Sequence, residues 1–244
     1  MAGDLGPDAA IDPLAYPFDV PRAGFVWRAG RVAPASDDGA DDPGLDDARL
    51  EGRTPVLAIG SNAAPSQLSR KFAADRFLDP RSPDGMIPVV AATAPDVDVA
   101  YAAHVARYGS VPATITAALG AQAHVFVTWL TPRQLDRMHE SEALGRHYDL
   151  VAVPGVRSGG RALDHAVTYV SMAGEARIGG RALALAAVTT EGRTLAAASQ
   201  REVWFRLAAD LGEAGGADAL VARVVADPSA RARVIVHLLA RHAR

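Results

Sequence analysis

The 244 residues contain no cysteine. Disulfides, thiol catalysis and thiolate-based zinc sites are therefore excluded, which fits a cytoplasmic setting. An excess of positive charge is also missing. The formal net charge is −3, so there is no basic footprint for nucleic acid. No apolar run approaches the ~18 residues that suggest a spanning helix, and no membrane partner is expected. The opening "MAGDLGPDAAIDPL" is acidic and lacks the basic and apolar regions of a secretory signal. Several signatures are absent too: a Gly-Lys-Ser/Thr phosphate loop, a G-x-G-x-x-G turn, an H-E-x-x-H pair and a nucleophile elbow. There is no internal repeat.

What remains is ordinary for a globular chain, with 49% apolar and 22% charged residues. The length allows one domain, or a domain with an appendage. Residues 1–53 read as an irregular acidic segment, with six aspartates between Asp37 and Asp47. Within it, "FVWRAGRV" (Phe25–Val32) reads as a short arm resting on the main domain. On that reading, removing residues 1–48 leaves a folded core. The core domain is expected over 54–190 and a helical extension over 191–244.

Within the core, "PVLAI" from Pro55 reads as a buried strand, and "PSQLSRKF" as a helix with Pro65 at its first position. Four strand-like runs follow, at Ile87–Thr93, Asp98–Val105, Val111–Leu119 and Ala123–Leu130, with Gly109 and Gly120 read as turns. Thr131 and Pro132 open a helix. Strands are expected again at Tyr148–Val153, His165–Met172 and Ala182–Val188, and helices after Ser199. Strands in the middle and helices at the end indicate an α+β fold around an antiparallel or mixed sheet.

Three stretches can carry chemistry. "IGSN" (Ile59–Asn62) stands at a strand end, where glycine lets backbone N–H groups approach a ligand carboxylate or oxyanion. The alternative is a plain turn with an Asn cap. "MHESEALGRHYDLVAV" gathers Glu140, Glu142, His139, His147 and Tyr148 at a helix end and strand entry. It reads as a site for a catalytic carboxylate or as a solvated helix end, and its histidine spacing argues against a metal. "GSVPATITAALG" (Gly109–Gly120) offers Ser110, Thr114 and Thr116, or simply an alternating strand. The remaining histidines are scattered and read as structural or exposed.

In this order, "LAIGSN", "VPATITAALG", "VFVTWLTPRQLD" and "SEALGRHYDLVAV" resemble the γ-glutamylcyclotransferase-like family over about residues 54–190. In that family a first strand ends in a Y-G-S-N loop and a later helix delivers a catalytic Glu ahead of a Tyr. The resemblance implies a mixed β-barrel or sheet with flanking helices. It also implies an enzyme that releases an amine from a γ-glutamyl or related acyl-amine compound, forming 5-oxoproline without metal or organic cofactor. Glu142, six residues before Tyr148, would be the general acid/base, with Glu140 the competing assignment. Gly60, Ser61, Asn62 and Tyr148 would bind substrate, Gly60 and Ser61 through backbone N–H groups. The chain departs from the pattern at Ile59, where the family usually has Tyr. That departure puts the substrate in question and keeps open a non-catalytic domain of the same fold that binds a small ligand or a protein.

Overall fold

The computed structural model describes residues 11–34 and 50–240; the aspartate-rich stretch lies outside them. The first strands come from the segment read as irregular. β1 (Phe25–Arg28) and β2 (Arg31–Pro34) form a hairpin. It closes on Ala29 and Gly30, whose φ values of 45° and 84° suit a two-residue turn matched to the strand twist. Then come β3 (Thr54–Ala58), α1 (Pro65–Lys71), β4 (Met86–Tyr101), β5 (Ala113–Leu130) and α2 (Pro132–Glu142). They are followed by β6 (Tyr148–Val153), β7 (Arg157–Ser158), β8 (Arg161–Ala162) and β9 (Ala166–Ser171). Short pieces β10 (Arg177–Ile178), β11 (Arg181–Ala182), β12 (Ala184–Leu185), β13 (Thr190–Glu191) and β14 (Ala197–Ala198) lead to α3 (Gln200–Asp210), α4 (Gly216–Ala226) and α5 (Pro228–Ala240).

The fold is α+β. Among the described residues twelve strands form one mixed sheet, seven of them along the path β14-β12-β4-β5-β3-β9-β6, with β3–β9 and β12–β14 parallel. Among the described residues this path does not close, which corrects the barrel alternative. Closure would need the end strands β6 and β14 to meet. Instead β4 meets β5 along one edge and takes β1, β7 and β12 in succession along the other. No helix among the described residues is long and apolar enough to cross a membrane.

Two further expectations need correction. The four runs between Ile87 and Leu130 are two long strands, not four. Both pass through a bulge: Pro95 pairs with Gln122 and Val97 with Ala117, so residues 118–121 face Asp96 alone. Gly120, at φ 81°, donates its N–H to the Asp96 carboxylate at 2.7 Å. It serves the bulge and does not end a strand. The Phe25–Val32 arm is likewise part of the sheet. β1 pairs with β4 from Phe25↔Val89 to Arg28↔Met86, and Trp27 is fully buried, its indole N–H bonded to Ser69 of α1 at 3.0 Å.

β3 shows why the sheet is covered on both faces. Val56 and Ala58 join a core with Trp27, Leu68, Phe72 and Met138 of β1, α1 and α2. Leu57 and Ile59 join the other, with Trp204, Leu207 and Leu220 of α3 and α4. Alternate side chains of a strand point to opposite faces, so the residue after β3 emerges between two packed layers.

Candidate active site

Ile59 is the last anchored residue before the loop, and Gly60 follows it. A Cβ on Gly60 would lie 2.2 Å from the Tyr16 hydroxyl oxygen and 3.2 Å from the Ala113 Cβ. Glycine is needed here for close approach. Ser61–Ala63 then makes one 3₁₀ turn, and Ala64 returns its N–H to the Ser61 carbonyl at 2.9 Å.

Opposite stands the end of α2. The helix starts at a full capping box, with Thr131 and Gln134 each bonding the other's backbone N–H. It ends at Glu142, where Ala143 turns left-handed (φ 52°) and sends the chain toward Tyr148 at the head of β6. The sequence-named residues Gly60, Ser61, Asn62, Glu142 and Tyr148 line one cavity of about 720 Å³. Glu140 also borders it, but its side chain is 64% exposed and paired with Arg137 at 3.0 Å. The Glu142 side chain is 14% exposed. Of the two carboxylates, Glu142 is the enclosed one.

Glu142 is not alone. The Lys71 ammonium donates to its carboxylate and, at 2.6 Å, to the Asn62 side-chain oxygen. Asn62 therefore holds Lys71 across to Glu142. Four of the chain's five tyrosines, Tyr16, Tyr108, Tyr148 and Tyr169, line the same cavity. Burial first, then the Glu142 charge, pushes the Tyr108 phenol up to about 12, with nearby Ser61 pulling the other way. Burial and the same charge raise Tyr148 and Tyr169 as well. His104 lies 3.4 Å by Nε2 from the Tyr148 hydroxyl, and its ring stacks on His147. Burial, aided by His147, lowers it to about 4 against the opposing pull of Glu142, so it is neutral near pH 7. Arg107, Arg146 and Arg231 complete the lining.

Sequence reasoning missed Lys71, Tyr16, Tyr108 and His104. For Lys71 two signals were present. It is the only lysine among 25 basic residues, and it stands four residues after Gln67, so both fall on one helix face beside the apolar pair Leu68 and Phe72. Tyr16 carried no local signal. His139, grouped with the site by sequence, instead bonds the Tyr169 hydroxyl through Nδ1 at 2.8 Å. Among the described residues no three His, Asp or Glu side chains converge as a metal cluster.

The Gly60 contact makes a stability prediction. Gly60→Ala is expected to cost about 1–3 kcal/mol, the usual penalty for overpacking. Its cost falls in a Tyr16→Phe background, where the facing oxygen is gone. Urea unfolding of the four proteins of this double-mutant cycle checks it; additive losses would mean that the two positions do not touch.

No family model matches the chain, and no curated protein matches it. Its fold is similar to several solved structures. One, described as a gamma-glutamyl cyclotransferase, is 13% identical, with a TM-score of 0.39 over 49% of this chain and 67% of that one. An uncharacterized protein from Homo sapiens is 16% identical, with a TM-score of 0.39 over 50% of this chain and 68% of that one. A protein from Arabidopsis thaliana solved in solution is 19% identical, with a TM-score of 0.35 over 50% of this chain and 70% of that one.

Proposed function

We propose that this chain cleaves a γ-glutamyl amide by cyclisation, releasing an amine and 5-oxoproline. The observation that carries the reading is the single cavity that sets the enclosed Glu142 carboxylate opposite the Gly60–Asn62 loop. Glu142 already bonds one primary ammonium, that of Lys71, so an α-ammonium suits the same carboxylate. The arginines of the lining suit a carboxylate of the substrate.

In this reading Glu142 takes a proton from the α-ammonium. The freed amine attacks the γ-carbonyl carbon, and the carbonyl oxygen takes the charge as the new C–N bond forms. Glu142 returns the proton to the leaving nitrogen and accepts the second one from the ring nitrogen as the old C–N bond breaks. That last proton passes to the departing amine. No water is consumed. Because the attack is intramolecular, holding the substrate folded supplies much of the acceleration. The loop amides and the hydroxyls around them stabilise the oxyanion.

Incubating the protein with a panel of γ-glutamyl amines and separating the products tests this. 5-Oxoproline is expected in equal amount to free amine. Free glutamate instead would indicate hydrolysis, and no product would discard the catalytic reading. A non-catalytic binding domain is the second reading. It is favoured by the internal pairing of Lys71 with Glu142, which leaves the carboxylate partnered before any ligand arrives.

A further inference from the structure

We propose that the Tyr16 hydroxyl is the hydrogen-bond donor this site presents to its substrate's carbonyl oxygen, so that the N-terminal segment supplies the phenol that Ile59 does not. The inference rests on the cyclising-amidase reading above and names the group that meets the oxyanion.

Tyr16 lines the cavity beside Gly60 and is almost wholly buried. Its oxygen accepts the Ala113 N–H at 2.9 Å. A phenol oxygen has two lone pairs and one O–H. Here a backbone N–H takes one lone pair and fixes the oxygen at the cavity wall, where the O–H can donate. The missing Cβ of Gly60 is what lets the oxygen sit so close to the loop. A hydroxyl that accepts an N–H bond is polarised and becomes a better donor. Burial, with Tyr108 and Glu142 nearby, holds this phenol far above the ordinary range, so it stays protonated and donates.

The segment that carries Tyr16 is fixed at both ends. The Ser110 hydroxyl donates to the Pro13 carbonyl at 2.8 Å, and the Asp19 carboxylate accepts both the hydroxyl and, at 3.2 Å, the N–H of Ser66 at the start of α1. Between these ties the Tyr16 ring meets Phe18 edge-on, and Phe18 leans on Tyr108. Such a held donor has little freedom to lose when a charge develops in front of it. The loop and the N-terminal segment form one device.

The test uses the full chain and a γ-glutamyl amine that the wild type converts to 5-oxoproline. Tyr16→Phe keeps the ring and is expected to lower kcat about 10²-fold with KM nearly unchanged, as for a lost oxyanion donor. p-Aminophenylalanine at position 16 donates but accepts poorly. It is expected to retain most of the activity, which a merely structural oxygen would not permit. Unchanged or faster turnover by Tyr16→Phe would overturn the proposal, the faster case marking the hydroxyl as a plug on the loop donors. If Tyr16→Phe does not fold, the p-amino variant decides, and a folded but inactive p-amino protein overturns the proposal too. A wild type that yields no 5-oxoproline from any γ-glutamyl amine discards the underlying reading and this inference with it. That outcome is distinct from an active wild type with an indifferent Tyr16.

Discussion

Glu142→Gln is expected to lower kcat for 5-oxoproline release by about 10²–10⁴-fold, the usual contribution of a positioned acid/base. Glutamine has the same shape and can still accept a bond from Lys71, but it cannot take a proton from one nitrogen and hand it to another. Binding of the γ-glutamyl compound should weaken far less than turnover. Because Lys71 is the only lysine, reductive ¹³C-methylation labels just its side chain and the N-terminal amine. The Lys71 resonance then reports whether its partner has changed while the fold has not. Equal steady-state rates for wild type and variant would remove Glu142 from the mechanism. If Glu140→Gln proves to be the inactive protein, the assignment is wrong by two residues despite the exposure of Glu140 and its pairing with Arg137.

Deleting residues 1–48 is expected to leave a chain that does not fold cooperatively, the reverse of what the sequence alone suggests. The deletion removes the β1–β2 hairpin from the edge of β4, and with it Phe25, Val26 and the fully buried Trp27. Losing one buried Trp side chain costs about 3–5 kcal/mol, and a whole domain has only about 5–15 kcal/mol to lose. Trp27→Ala alone should lower the melting temperature by about 10 °C, at the roughly 2–4 °C per kcal/mol usual for chains of this size. Circular dichroism with thermal melting checks both proteins. A truncated chain with a native spectrum and a sharp transition would show that the hairpin is dispensable.

These two cases mark where the sequence was readable. Pro65 at the start of α1, the Thr131–Pro132 start of α2 and the Tyr148–Val153 strand obey rules that span a few residues, and the structure has them in place. The sequence singled out Glu142 through the resemblance, by its six-residue spacing to Tyr148, and both residues line the cavity. The long strands were misread because Gly120 looks like a turn residue, whereas its positive φ and that of Asp96 serve a bulge within continuous pairing. Phe25–Val32 was misjudged because nothing within the segment reveals that an edge of β4, some sixty positions on, awaits it. Sheet closure is likewise a property of pairing between distant strands. Tyr16 is the extreme case, since its hydroxyl and the Ala113 N–H are separated by 97 positions.

That separation bears on how the protein is made. Tyr16 and Trp27 leave the ribosome early, yet Ala113 and the Met86–Val89 edge that receive them are synthesised much later. At about 5–20 residues per second, the N-terminal segment waits several seconds before its partners exist. During that time its aromatic side chains are uncovered, a hazard for self-association and an opening for chaperones. Pairings of such long sequence range also slow folding once the chain is complete. Formation of the cavity is therefore a late event in biogenesis, and nascent chains stalled before Ala113 should lack it entirely.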